Sequence, residues 1–319
     1  MKGGPLAQAA IWLLLALVVI VFPDNLSFAT SVVVMALFAM SLDLILGYAG
    51  IISLGHAVFF GIGAYAAGWI ALAGWHEPVS GLLLAGAAAA LAALAIGPLL
   101  LRLTGLPLIM VSFVFGVILY EAANKATPIT GGDNGLTGFA FAPVLGLFHW
   151  SVFSRVEYLY ALSFLCLCYF VARRVVASPF GLALEGIREN ATRMSLIGAP
   201  VHDHLLRIYA FSAFLAGLAG ALGAETTRFV SLGVFSVGNS IDVVIMLVLG
   251  GVATLYGAII GAAVYMIVHH VASEWNPYHW MFIIGFLLLV VVRVGRGGLV
   301  GIATALLRRW PHRAGGRPG

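Results

Sequence analysis

The sequence predicts an all-α fold, a polytopic membrane helix bundle of about ten transmembrane spans. Three observations lead there. Of 319 residues, 62% are hydrophobic and only 9% are charged, whereas a soluble domain carries about 25% charge. Such a chain cannot clothe a water-facing surface in polar groups, so its solvent is the lipid bilayer and a water-soluble globule is excluded. Second, residues free of Asp, Glu, Lys and Arg run in helix-length stretches: 3–23, 25–42, 44–76, 78–101, 103–120, 158–172, 208–224, 243–273 and 275–292. Third, the 39 glycines suit membrane helices, where close backbone approach drives association. Two cysteines rule out a disulfide scaffold or a four-cysteine metal site.

Each span needs roughly 20 apolar residues. The expected spans lie near 6–22, 28–46, 54–74, 79–101, 106–123, 157–176, 207–224, 236–252, 255–272 and 279–294. The stretch 44–76 exceeds one helix, and Gly47, Gly50 and Gly55 break its start. Gly250, Gly251 and Gly257 divide 243–273 into a helix end, a turn and a second helix. The first run follows Lys2 and precedes Ser27-Phe28-Ala29, which resembles a signal-peptide cleavage site. It is longer than most such cores, and Pro23-Asp24-Asn25 reads as an interhelical turn, so a first span is expected there.

Charge sets the orientation, because Lys and Arg favour cytoplasmic loops. Residues 173–207 hold Arg173, Arg174, Arg188, Arg193 and Arg207. The tail 295–319 is basic, with Arg296, Arg308, Arg309, Arg313 and Arg317, and Arg102 follows the fourth span. All fall on one side if ten spans start inside at Lys2, which puts both termini in the cytoplasm. Asp24, His76, Glu77 and Glu274 fall on the other side. The net charge of +4 thus speaks of topology and not of nucleic acid.

Several chemistries are excluded by context. Gly61-Ile-Gly63-Ala-Tyr-Ala66 fits a loose dinucleotide fingerprint but lies in a span, without the required strand. Lys2 and Lys125 are the only lysines, and neither follows a phosphate-binding glycine loop. Cys166 and Cys168 point apart on a helix. His202-Asp203-His204 and His269-His270 lack zinc-protease spacing. Gly257-xxx-Gly261 and Gly217-xxx-Ala221 are read as packing faces.

Ionisable groups in spans are costly and point to function. Asp43 and Asp242 are therefore candidates for a substrate path, unless they sit at the interface, where the cost nearly vanishes. His56 is a third candidate; its bland reading is a buried ring donating to a backbone carbonyl. Ser41-Leu-Asp43 and Ser240-Ile-Asp242 share a context, which raises an internal repeat of the kind transporters contain.

Two connections stand out. Residues 124–156 centre on Thr130-Gly131-Gly132-Asp133-Asn134-Gly135-Leu136, a run of tight turns on the extracytoplasmic side, either a docking surface or an ordered connection. Residues 177–206 carry a short amphipathic helix, with Leu182, Glu185 and Glu189 on one side and Leu184, Ile187 and Arg188 on another. Gly198-Ala199-Pro200 stops it. Its acids argue against anionic lipid and for a protein partner.

From about residue 30 to 303 the chain resembles the LivM-type permease of bacterial branched-chain amino acid ABC importers. The resemblance rests on Leu46-Gly47-Tyr48-Ala49-Gly50, on Ser53 through Tyr65, and on Thr130 through Leu136. It rests further on Ile187-Arg188-Glu189-Asn190, Ser212 through Leu222, Leu249-Gly250-Gly251 with Leu255-Tyr256-Gly257, and Arg296 through Gly301. Three places depart: Leu182 stands where many members have Arg, Asp43 where many have Asn, and Ala191-Thr192 where acidic-aliphatic residues are common.

The resemblance implies an ABC importer permease fold: one transmembrane permease domain over 1–319, a cytoplasmic coupling loop at 177–206 and a basic cytoplasmic tail at 295–319. It implies a LivH-like second permease, two ABC ATPase subunits, a periplasmic or extracellular substrate-binding protein, and a place in the bacterial inner membrane. Coupling to the ATPases would fall to Gly181, Leu184, Ile187, Arg188, Glu189, Asn190 and Gly198. The chain would hold no cofactor and do no enzymology; ATP and magnesium would sit on the partners. Branched-chain or other hydrophobic amino acids are the expected cargo, with urea, amides or aromatic acids as the alternative in the same importer class. The other reading is an ion-coupled secondary transporter working through Asp43 or Asp242.

Overall fold

The computed structural model describes residues 12–13, 15–19, 21–143, 155–275, 279–294 and 297–301. The longer helices are α1 (Leu26–Asp43), α2 (Ala57–Leu72), α3 (Pro78–Leu100), α4 (Leu106–Lys125), α5 (Arg155–Val176), α6 (Pro179–Leu196), α7 (Val201–Thr227), α8 (Val237–Gly250), α9 (Leu255–Trp275) and α10 (Trp280–Val294). Among the described residues no strand forms, and the only β-bridge is the isolated antiparallel pair Leu136–Val230. The protein is an all-helical polytopic membrane bundle. Among the described residues six segments are long and apolar enough to cross a bilayer: Pro23–Tyr48, Pro78–Leu100, Leu106–Lys125, Arg155–Val176, Val201–Thr227 and Leu255–Trp275. Helices α2 and α8 and residues Trp280–Val291 are apolar but shorter. Nine of the expected spans each fall on one of these helices. Of the expected first span, 6–22, residues 12–13, 15–19 and 21 are helical, while 6–11, 14 and 20, like most of the basic tail, lie outside the described residues.

Helix α1 is apolar all round and sits at the centre, buried almost continuously from Val33 to Asp43, as expected of a helix with no polar stripe. It ends in a π-helical turn, Leu44–Tyr48. The chain then runs without regular helix to α2, which begins at Ala57 and not at 54. Freed backbone amides at membrane depth must find partners inside the protein. Here the Leu54 amide donates to Ser112 Oγ at 3.1 Å and the Ala57 amide to Ser240 Oγ at 3.0 Å.

Small residues let α7 serve as the shared wall of α2 and α3. A Cβ on Gly63 would lie 2.1 Å from Gly217 O, and one on Gly220 would lie 1.9 Å from Phe60 O. Backbones meet there with no room for a methyl group. Helices α8 and α9 pack the same way, with a Cβ on Gly261 falling 1.9 Å from Met246 O. Helix α4 buries only Leu108, Ser112 and Gly116, leaving Leu106, Met110, Phe113, Val114 and Ile118 exposed.

The connections gather at two ends. At one, His76 Nδ1 donates to Ala140 O (2.9 Å) and Leu136 pairs with Val230. At the other, Gly50 packs under Arg188, Gly97 under Leu206, and Gly298 against Gly251. That second end carries Arg102, Arg173, Arg174, Arg188, Arg193, Arg207 and Arg293; the first carries Lys125, Arg155 and Arg228. The cation bias expected from the positive-inside rule is therefore present in the folded chain. We call the basic end inner and the opposite end outer.

The segment 177–206 is not a loop around one helix. Helix α6 breaks at Asn190 (φ −160°, ψ 92°), whose Oδ1 accepts from Arg193 N at 2.8 Å and so caps a second helical piece. Met194 packs on Gly186, which a straight helix would hold about 12 Å away, so the second piece folds back. Gly198 (φ +87°) ends it, as expected. Helix α7 starts at Val201, two turns before the expected 207, so His202 and His204 are helical; His204 stacks on Phe180 at 5.4 Å.

Candidate functional site

A cavity of about 550 Å³ opens near the outer end. Its walls are Ser31, Val34 and Met35 of α1, Phe60 and Ala64 of α2, the 220–227 turns of α7, Met266 of α9, and the Phe229–Ser236 segment leading into α8. Chain geometry makes this room. Arg228 ends α7 in the left-handed conformation (φ 55°), and a four-residue 3-10 turn, Leu232–Phe235, carries the chain across to Ser236. Ser236 then caps α8, its Oγ accepting from Asn239 N at 3.3 Å. The Asn239 side chain donates to Gly233 O at 2.8 Å and holds the turn. The lining is apolar with a few neutral hydroxyls and one amide, Ser31, Thr226, Thr227, Ser231, Ser236 and Asn239. Among the described residues no charged side chain lines it. Such a surface takes a small molecule with an apolar body and satisfies polar ends by neutral hydrogen bonding.

The glycine-rich connection braces the rim of this cavity. Thr130 Oγ1 bonds to Ala123 O at 2.7 Å, and the Gly132 amide donates back to Thr130 Oγ1 at 3.2 Å. Gly131, Gly132 and Gly135 all have positive φ. Leu136 and Val230 exchange both backbone bonds, at 2.8 and 3.1 Å, and Val230 lines the cavity. Asp133 and Asn134 stay exposed at the tip.

None of the three path candidates lines this cavity. Asp43 is fully buried toward the inner end, and its Oδ1 accepts from the Ala253 amide at 2.7 Å. The π-turn and the α8–α9 connection close over the carboxylate. His56 is buried and pairs with a serine, not with a backbone carbonyl: Nε2 lies 2.9 Å from Ser41 Oγ. Ser41 Oγ gives its proton to Phe38 O at 2.7 Å, so His56 Nε2 carries the hydrogen and donates. Phe38 stacks on the ring within 6° of parallel. Asp242 is half-buried on α8, and Tyr265 donates to its Oδ1 at 2.6 Å. In the two Ser-x-Asp segments the serines meet at one joint, Ser41 on His56 and Ser240 on Ala57. The two carboxylates take unrelated partners.

On α6, Gly181, Leu184 and Ile187 face the protein and are buried. They seat the helix and offer no surface to a partner. Arg188 stays exposed overall, while its Nη1 donates to Gly47 O. The exposed side includes Leu182 (67%), Glu185, Arg188, Glu189 and Asn190, with Leu196 (82%), Ile197 (72%) and Gly198 at the tip of the folded-back piece. Leu196 and Ile197 were not among the residues the sequence brought forward.

Two further features escaped the sequence reading. The Phe229–Asn239 segment was legible only as a polar start to an expected span. Glu225 closes a charge-free stretch and reads as a helix end at the interface, yet α7 continues to Thr227 and Glu225 is fully buried behind the cavity wall. Outside the spans, Glu77 caps α3: Ser80 N donates to its Oε2 at 2.8 Å. The Ser80 side-chain hydrogen bond, with backbone bonds beside it, holds the Glu77 carboxyl below its ordinary value. No group of three or more His, Cys, Asp or Glu suited to a metal occurs among the described residues.

Comparison with known proteins gives a consistent answer. Residues 25–292 match the family described as "Branched-chain amino acid transport system / permease component". The high-affinity branched-chain amino acid transport system permease protein LivM of Escherichia coli (strain K12) is 29% identical over 290 residues, 83% of this chain and 67% of that protein. The protein of the same name from Salmonella typhimurium (strain LT2) is 28% identical over 320 residues, 91% of this chain and 74% of that protein. No solved structure gives a significant match.

Proposed function

We infer that this chain, which belongs to the family of branched-chain amino acid transport system permease components, is the LivM-type half of the membrane channel of an ATP-driven importer. The observation that carries the reading is the family match from residue 25 to 292, which spans every helix from α1 through most of α10. A LivH-like permease would supply the other half, two ABC ATPases would bind ATP and magnesium at the inner end, and a periplasmic or extracellular binding protein would deliver cargo at the outer end. Ten spans in the bacterial inner membrane, with both termini cytoplasmic, agree with the cation bias of the inner end.

The outer cavity is our candidate for this chain's share of the path. Its volume of about 550 Å³ and neutral, largely apolar lining favour branched-chain or other hydrophobic amino acids over charged solutes. The rim at Thr130–Gly135, with Asp133 and Asn134 exposed, is where the binding protein would rest. At the inner end the exposed Leu196 and Ile197, beside Leu182 and Glu189, would enter the ATPase groove. In this reading the coupling surface is the exposed side of α6 and its folded-back tip.

The test is purification from native membranes in mild detergent, with mass identification of what accompanies the chain. A second permease and ATPase subunits are the expected companions. Isolation of this chain alone, or only with copies of itself, would overturn the importer reading.

A further inference from the structure

We propose that Arg188 is a latch that ties the coupling helix α6 to the broken end of α1 and, through Asp43, to the α8–α9 turn, so that movement of α6 reaches the walls of the outer cavity. The proposal rests on the importer reading above and adds the residues that carry the motion.

Two polar contacts build the latch, and each joins remote segments. Arg188 Nη1 donates to Gly47 O, 141 positions away, and Asp43 Oδ1 accepts from Ala253 N, 210 positions away. Both meet on the π-turn Leu44–Tyr48, where the ordinary helical pattern has already given way. The turn is shaped around them. A Cβ on Gly47 would fall 2.2 Å from Asp43 Oδ1 and 2.6 Å from Ala253 N, so any side chain there would separate the pair. Gly50, at φ +74°, lets the Arg188 stem lie across the backbone: its Cβ would be 2.8 Å from Arg188 Cγ.

The far side of the joint is held in the same way. Ala253 has φ +61°, a left-handed conformation that non-glycine residues rarely take. Its amide is the one Asp43 holds. Gly251 and Gly298 interlock beside it, a Cβ on Gly298 falling 2.6 Å from Gly251 N. A cavity of about 160 Å³ lies next to the joint, between Tyr48, Arg173 and Thr254, and gives the turn room to shift.

Both elements that meet at the latch lead to the outer cavity. Helix α1 runs from Asp43 to Ser31, about 18 Å at 1.5 Å per residue, and α8 runs from Gly250 back to Asn239; Ser31 and Asn239 both line the cavity. A rigid helix pivoted at its inner end moves its outer end. Arg188 is thus a positioning residue that acts through Gly47, and Asp43 is the second link.

The test uses the assembled complex in lipid nanodiscs. Spin labels at Ser31→Cys and Ser231→Cys, on a background with Cys166 and Cys168 replaced by Ser, report the width of the outer cavity with and without ATP and vanadate. In the otherwise unmodified chain ATP-vanadate changes the label distance. With Arg188→Ala, we expect the shifted population to fall about tenfold, the size of a lost charge-assisted hydrogen bond, while the ATPase subunits stay bound. Arg188→Lys keeps a donor and restores most of the shift. Asp43→Asn keeps the acceptor and retains it, whereas Asp43→Ala does not. An unchanged shift in Arg188→Ala overturns the latch alone. Loss of the ATPase subunits from that variant overturns it too, since Arg188 would then be a docking contact. An unmodified complex without ATPase subunits would sink the importer reading, and the latch with it.

Discussion

Similar local sequence can hide different work at single residues. Asp43 and Asp242 each follow a serine by two positions, and both read as intramembrane carboxylates. One accepts a backbone amide in a fully closed joint, and the other accepts a tyrosine hydroxyl on a half-buried face. Hydropathy fixes where a helix crosses but not how it is rotated, so the partners of neither were legible. An amide serves as well as a carboxylate where only an acceptor is needed. Asp43→Asn should therefore keep uptake of radiolabelled leucine within about twofold; a proton-coupled carrier using Asp43 would lose it. Glu77 offers a prediction in pH. Its folded pKa is depressed by the Ser80 hydrogen bonds, so its stabilisation is present above its unfolded pKa and is lost as pH falls through the folded one. Melting temperatures of the purified protein and of Glu77→Ala should differ at pH 7 and draw together as pH falls below the ordinary glutamate value of about 4.3.

Helices were the most legible elements, because apolar stretches and their charged ends are written directly in the chain. The breaks at Gly47, Gly50 and Gly55 and the stop at Gly198 were legible for the same reason: glycine is the residue that tolerates them. What could not be read was how the elements fold on one another. The return of α6 at Asn190 depends on one side-chain cap and on Met194 finding Gly186. Nothing periodic announces it. Asn190→Ala removes the cap, at a typical cost of about 1 kcal/mol. It should swing Leu196 and Ile197 out of place and weaken ATPase retention on purification, with overall helicity by circular dichroism unchanged. The α2–α7 crossing is a firmer case. Gly63→Val inserts three carbons where a Cβ already falls 2.1 Å from a carbonyl oxygen. Overpacking of this kind costs about 1–3 kcal/mol, and a lower melting temperature in detergent is the expected readout.

At the scale of the molecule, the chain separates a basic inner end, with its jointed α6, from a braced outer end that encloses a neutral cavity. The sequence made this polarity legible through its arginines. The cavity itself was not, since it arises from the 228–239 crossing and from faces of four helices that no local pattern links. The broken segment between α1 and α2 has a consequence for biogenesis. Its Leu54 and Ala57 amides are satisfied by Ser112 and Ser240, and Asp43 waits for Ala253. A chain inserted from its N-terminus therefore carries unpaired groups at membrane depth until well over two hundred residues have been synthesised. Water, lipid headgroups or an insertion chaperone must shelter them meanwhile. Chains that stop before α8 should be recognised as unfinished and cleared by membrane proteases, even though several of their helices have already entered the bilayer.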